Sequence, residues 1–449
     1  MNRKFQLLFI TLMPMILLAL VASVAHASKP PDDPVIRVGL VSYGGSTKQI
    51  TVLASSNFSI IKTGTTDKLA SSTNLVPIVL EAGDTEITCR RADDSLRLGA
   101  SVTIVPDDPS ATIAVDSPTR SRQYRGAIEV SFKGRTLRLV NVVKIDDYLL
   151  GVVPCEMGDA PEEALKAQAI AARSYTIRNQ RKHSSDGYGL CDTTHCQSYG
   201  GVLAERAATT KAVLATRGMT LNYGGEPISA MYSTDCGGIT QSYADSYRTG
   251  QSQHPYLCSV TEPSEVEHQC WEKTYTLADL GVALAKSGIP EANGLQSIKV
   301  IETAKSGRAS SVEIVGAKGA KTVYGATLRK ALDLKSTLFT IETSSEGIVT
   351  FHGKGYGHGI GMCQVGARAL AGPPSNYTCE RLLSFYYPGA ELTHAYGSAA
   401  SATSAPAHKK PAPTLVRTAK ADPKPAKKPR TRDTERGMYF EVRVKAPSL

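Results

Sequence analysis

Short runs of alternating apolar and polar residues open the body of the chain. Ile36 to Val41, Gln49 to Leu53, Phe58 to Ile61 and Leu75 to Leu80 are separated by glycine and polar breaks. This pattern predicts the strands of a small β-rich lobe over residues 35–120. Tyr124 to Val143 alternates on both sides of Lys133-Gly134, which predicts a hairpin. The period then changes. Pro161, Glu162 and Glu163 suit a first helical turn, where a missing N–H is tolerated and carboxylates face the positive end of the dipole. Ala164, Leu165, Ala167, Ala169, Ile170, Ala171 and Ala172 continue a small-residue helix, and Lys166 and Arg173, seven residues apart, fall on nearly the same face. Further helices are predicted over 205–217, 276–287, 325–332 and 364–371, with strands over 228–233, 297–301 and 311–315. The sum is an α+β chain: the β-rich lobe, a mixed helix and strand body over 121–396 with a substrate groove, and a tail.

Glu156 stands out in an apolar setting, Val152-Val153-Pro154-Cys155-Glu156-Met157, just ahead of the cationic helix. A carboxyl so placed is either an active-site acid or one half of an ion pair at a helix start. Its neighbour Cys155 reads as a small buried residue.

Composition adds a compartment. Arg3 and Lys4 precede an apolar run from Phe5 to Val24, and Ala25-His26-Ala27 gives a small-x-small cleavage pattern. Residues 1–27 therefore read as a signal peptide, followed by a linker at 28–34, and the product as exported to the periplasm or cell envelope. The run is also long enough to remain as an uncleaved membrane anchor. The formal charge of +10 is concentrated in the tail, since ten Lys/Arg and three Asp/Glu lie between Ser398 and Gly437. A near-neutral body excludes nucleic acid as its partner. The Ala/Pro/Lys-rich stretch at 397–437 reads as disordered, able to touch wall polymers or a membrane surface, and 438–449 is left unassigned.

Nine cysteines form no regular disulfide framework. His183, Cys191, His195 and Cys196, in a loop rich in Ser, Asp and Gly, suit a tetrahedral structural zinc site. A Cys191–Cys196 disulfide is the alternative. Gly353 to Gly361 alternates glycine with other residues, so that backbone could approach a ligand closely; His358 within it reads as exposed. Thr234-Asp235-Cys236-Gly237-Gly238 is a similar turn that could line a groove. No G-x-S-x-G elbow is present, and the glycine run lacks the ending of a phosphate-binding loop.

Taken together, these segments resemble the sporulation stage II protein D (SpoIID) family, which includes the amidase enhancer LytB. The matching residues are Asp147 to Met157, Glu163 to Tyr175, Cys191 to Gln197, Cys236-Gly237-Gly238 and Gly355 to Met362. The resemblance implies a peptidoglycan lytic transglycosylase acting on glycan strands with Glu156 as its acid, or a non-catalytic partner that stimulates a cell-wall amidase. Under the first reading Lys166, Arg173, Ser174, Tyr232 and His358 are expected to hold the sugar, with the zinc loop as scaffold. Cys155 beside the acid and the basic tail depart from the family pattern.

Overall fold

The computed structural model describes residues 33–396, apart from 46, 92–93 and 250–252. The expected signal peptide, most of the linker, the basic tail and the C-terminal segment lie outside the described residues. The chain is α+β, as its pattern predicts.

Twelve consecutive strands build the first half: β1 (Val35–Gly39), β2 (Gln49–Ala54), β3 (Phe58–Lys62), β4 (Lys68–Ser72), β5 (Ile78–Ala82), β6 (Ile87–Arg91), β7 (Asp94–Gly99), β8 (Ser101–Pro106), β9 (Thr112–Asp116), β10 (Ser121–Arg125), β11 (Ala127–Lys133) and β12 (Thr136–Lys144). With the two-residue β13 (Leu190–Cys191) they form two sheets, ordered β13-β1-β12-β11-β8-β3-β4 and β10-β9-β2-β5-β6-β7. Alternate residues such as Ile60, Val102, Ile104 and Val130 of one sheet and Ile50, Val52, Ile78 and Val115 of the other merge into one buried core. The expected hairpin is β11–β12. It closes through Gly134 and Arg135, both at positive φ, the backbone that matches strand twist in a two-residue turn. These sheets continue past residue 120, where the sequence reading set a boundary, because β10 pairs with β9 and β11 with β8.

Three helices follow on the same core: α1 (Ile145–Glu156), α2 (Glu162–Asn179) and α3 (Ala207–Ala215). The first was not anticipated. Asp146 and Asp147 sit in its first turn, and it is buried along nearly its whole length, from Ile145 to Pro154, with Asp147 the half-buried exception. Gly151 lets it lie against the 199–201 loop: a Cβ there would meet the Tyr199 ring at 2.7 Å and the Gly201 backbone at 3.0 Å. The second helix is buried from Ala164 through Thr176, save Lys166. Its small residues let neighbours pack on every side, so Gln168, Arg173, Ser174 and Thr176 are buried with the alanines.

A second, separate core lies between Trp271 and Phe351. It is built from two three-stranded sheets, 270–276/348–354/339–343 and 297–303/309–316/319–324, with helices Leu277–Lys286 and Gly325–Leu332. Trp271, Phe339 and Phe351 pack there ring to ring, with centroids 6.4 and 5.6 Å apart in sequence of contact. A cavity of about 590 Å³ opens on this lobe, lined by Trp271, Leu338, Phe339 and Lys354, away from Glu156. Among the described residues no helix is long and apolar enough to cross a membrane.

Candidate active site around Glu156

Glu156 is the last residue of α1 rather than a residue ahead of a lone helix. Pro154 sits inside the last turn with no N–H to give, and Gly158 turns the chain with φ +65° before Pro161 caps the start of α2. The carboxyl is half-buried, and its Oε1 accepts the Ser198 backbone N–H at 2.5 Å. Burial raises its pKa above the usual carboxylate range, and hydrogen bonds from Ser198 and Gln364 oppose the rise.

The donor Ser198 is delivered by the β-rich half. Strand β13 pairs in parallel with β1, Gly39 opposite Cys191. Asp192, buried, accepts the Ser42 backbone N–H at 3.0 Å and the Ser42 hydroxyl. Arg122 donates to the Tyr199 carbonyl at 2.5 Å. The loop that reaches Glu156 is thus clamped at both ends by strands far away in sequence.

Behind the carboxyl lies a buried amide and phenol network. Gln197 Oε1 accepts from Thr176 Oγ1 at 2.8 Å and Tyr148 Oη at 3.2 Å, while its Nε2 donates to Tyr232 Oη at 2.9 Å. Gln364 Nε2 donates to Gln168 Oε1 at 3.3 Å. Burial, then the nearby Glu156 charge, pushes the Tyr232 phenol well above its ordinary pKa. Tyr232 is tied through its hydroxyl to Gln197, the residue beside Ser198. His358 reaches the same strand through the Tyr232 backbone; its Nδ1 accepts the Ile360 N–H at 3.0 Å. It is half-buried rather than exposed. Burial, aided by Arg329 and Arg308, lowers its pKa to about 4, so the ring is neutral at pH 7.

Three of the expected sugar-binding residues are elsewhere engaged. Arg173 is fully buried, with Nε and Nη2 on Asp146 Oδ1 at 2.9 and 2.6 Å and further bonds to Tyr396 Oη and the Met219 carbonyl. Ser174 is buried too. Its hydroxyl donates to the Ile170 carbonyl and accepts the Leu221 N–H. Lys166 is held at the start of α2 by Glu163 at 2.8 Å and Glu162 at 3.2 Å. Heptad spacing aligned Lys166 and Arg173 on one face, but α2 is packed on that face beyond its first turn. Cys155, expected buried, is exposed.

The glycine run is also used differently. Gly355, Gly357, Gly359 and Gly361 all have positive φ, yet the close approach is to the protein itself. Added Cβ atoms would meet Asp235 O at 2.7 Å from Gly355, Met231 O at 1.9 Å from Gly361 and the Arg308 guanidinium at 2.2 Å from Gly359. No side chain could take those places.

The His183, Cys191, His195 and Cys196 ligand atoms converge. His183 Nε2 lies 3.2 Å from His195 Nδ1 and 3.4 Å from Cys196 Sγ, and His195 Nδ1 is 3.6 and 3.7 Å from the two sulfurs. Tetrahedral coordination with metal–sulfur bonds near 2.3 Å and metal–nitrogen bonds near 2.05 Å requires edges of about 3.3–3.8 Å. The four atoms can therefore hold a metal, and the two cysteines are free thiols rather than a disulfide. Ser198 follows two residues later.

Gln364, Gln197, Gln168 and the Ser198 N–H were not singled out from sequence. Amides carry no charge pattern, and only adjacency to Cys196 pointed toward Gln197 and Ser198.

A family profile described as stage II sporulation protein matches residues 133–223, the segment running from β12 through α3, and a domain of unknown function matches residues 252–361, the second core. An uncharacterised protein of Brachyspira hyodysenteriae is 33% identical over 60% of this chain and 72% of its own length. Stage II sporulation protein D of Bacillus subtilis is 30% identical over 57% of this chain and 76% of its own. The amidase enhancer of Bacillus subtilis is 30% identical over 55% of this chain, which spans 40% of that relative. Both the profile and the extent of these matches place the chain in the stage II sporulation protein D (SpoIID) family, with the amidase enhancer as a relative.

Proposed function

We propose that the protein is an exported lytic transglycosylase of the cell wall, cleaving the bond between N-acetylmuramic acid and N-acetylglucosamine in peptidoglycan strands. The observation that carries this reading is the Glu156 carboxyl: half-buried, pinned by one backbone N–H, and raised in pKa by burial and not by a neighbouring carboxylate. A single carboxyl suffices when no water is used. Protonated Glu156 gives its proton to the glycosidic oxygen as the C1–O bond breaks, and the departing sugar leaves with a hydroxyl. The muramyl 6-hydroxyl then closes on C1, forming the O6–C1 bond, and returns its proton to the carboxylate. A hydrolase typically needs a second carboxyl to handle water or form an intermediate. Ser198 N–H stabilises the carboxylate formed midway, and Tyr232, through Gln197, lines its approach. The loop beside it would bind zinc through His183, Cys191, His195 and Cys196, a closed four-ligand site that fixes the loop and leaves no position for metal chemistry.

Glu156→Gln should abolish anhydro-ended products from purified glycan strands, measured by mass spectrometry; persistent release removes Glu156 from the reaction. Its pH signature is specific. A carboxyl raised in the folded state contributes stability below its ordinary value near 4.5 that is lost as pH climbs through the raised value. Activity should fall over that same rise, while the Gln variant, which resembles the protonated acid, should be no less stable than wild type at pH 7.

One observation favours a second reading, the likeness to an amidase enhancer. Under it, purified protein would bind glycan, yield no anhydro ends, and accelerate a cell-wall amidase added to the same strands.

A further inference from the structure

A second cluster of metal-ligating side chains lies outside the loop already described. Cys236 follows the strand Tyr232–Ser233, and Cys363 ends the strand Met362–Cys363, which pairs beside it. Glu262 and His268 come from the segment entering the second core. One ligand atom from each of the four lies within 4.8 Å of every other, with Cys236 Sγ to Glu262 Oε2 at 2.9 Å and His268 Nε2 to Glu262 Oε2 at 3.1 Å. We propose that Cys236, Glu262, His268 and Cys363 form a second structural zinc site.

Four further observations support a metal over a buried thiol pair. The His268 ring is 3% exposed, and its Nε2 has no hydrogen-bond partner of adequate geometry, while Asp235 Oδ1 holds Nδ1 at 2.6 Å. A carboxylate on one ring nitrogen fixes the tautomer that aims the other lone pair at a metal. Backbone amides point at both sulfurs: Gly238 N–H to Cys236 Sγ at 3.3 Å, Cys236 N–H to Cys363 Sγ at 3.2 Å, and Gly366 N–H to Cys363 Sγ at 3.3 Å. Such donors are the outer partners that a metal-bound sulfur takes. Glu262 keeps one oxygen for the Tyr386 hydroxyl and leaves the other in the cluster. Finally, Arg308 is 1% exposed beside the two sulfurs, with Nε and Nη1 unpartnered. Two thiolates, a carboxylate and a divalent zinc sum to one negative charge, which one guanidinium neutralises. On binding, the thiols release their protons to solvent and no oxidation is involved. A Cys236–Cys363 disulfide would not account for Glu262 Oε2 and His268 Nε2 converging on the same two sulfurs.

The soft sulfur pair with one imidazole and one carboxylate selects zinc over calcium or magnesium, which take oxygen ligands. Four ligands close the site. Its consequence reaches Glu156, on the reading given above, because Cys363 precedes Gln364, whose amide hydrogen-bonds that carboxyl.

The full exported chain, purified with zinc under mild reduction, should carry two zinc ions by plasma mass spectrometry. Cys236→Ser with Cys363→Ser, and separately Cys191→Ser with Cys196→Ser, should each retain one. The wild type also decides the matter without relying on variants that fold. Cys236 and Cys363 should react with a maleimide at least tenfold more slowly in zinc-loaded than in chelator-treated protein, located by peptide mapping. Equal labelling rates, or a Cys236–Cys363 disulfide in the mapped protein, overturn the proposal whatever becomes of the Glu156 reading. Loss of anhydro-product formation with zinc protection intact would overturn that reading and leave this site standing.

Discussion

Replacing Arg173 with Met separates a structural cation from a sugar-binding one. The guanidinium is wholly buried and makes two bonds to Asp146, one to Tyr396 Oη, and others to the Met219 and Val213 carbonyls. Met keeps most of the stem volume, so the cavity cost is small and the electrostatic cost dominates. Removing one partner of a buried pair strands the other charge, typically for 3–5 kcal/mol. Asp146 retains Tyr396 Oη at 3.1 Å and Arg217 at 3.5 Å, which places the expected loss toward the lower end, about 3 kcal/mol. With a urea slope of about 3 kcal/mol/M for a body of this size, the midpoint should fall by about 1 M. The assay is urea unfolding followed by circular dichroism at pH 7, with Lys166→Met alongside. Lys166 is a partly exposed partner of Glu162 and Glu163, and its loss should cost about 0.5 kcal/mol or less. Adding Asp146→Asn to Arg173→Met should cost less than the two changes taken separately, since no charge is then stranded. An Arg173→Met protein that unfolds at the wild-type midpoint but binds glycan more weakly would refute the structural assignment and restore Arg173 as a sugar ligand.

Two other outcomes follow from the same geometry. Cys191→Ser removes one ligand of the four-atom loop, so it should lower the melting temperature and shrink the further drop that a chelator causes in wild type; a chelator-induced drop of equal size in the two proteins would show that the loop holds no metal. Asp33 is buried, and burial with the Asp146 charge raises its pKa from 3.8 to about 7. The stability it contributes is present below 3.8 and lost as pH rises through about 7, so Asp33→Asn should gain up to about 4 kcal/mol at pH 8 and almost nothing at pH 4 by thermal melts. Identical pH profiles for the two proteins would contradict this.

Local pattern carried much of the architecture. Alternation marked the strands at Gln49 and Phe58 and the β11–β12 hairpin; helical periods marked Gly325–Leu332 and Gln364–Ala371 at the observed bounds. Ligand spacing alone identified His183, Cys191, His195 and Cys196, because residues within one short loop can converge without distant help. The apolar flanks of Glu156 correctly announced a carboxyl in a desolvated place. Other features depended on contacts between residues far apart in the chain. Helix α1 carries Pro154 and Gly151 and reads poorly as a helix, yet packing on α2 and α3 holds it. Whether a cation on α2 faces solvent or core is decided by what packs on each side, and Asp146 and Tyr396 bury Arg173 from 27 and 223 residues away. Likewise Ser198 meets Glu156 only because β1 pairs with β13, and Cys236 meets Cys363 from 127 residues away. Sequence determined which residue types were available and which short segments they shape; the tertiary structure decided which of them share a site, since burial and long-range pairing are properties of the packed chain and not of any window along it.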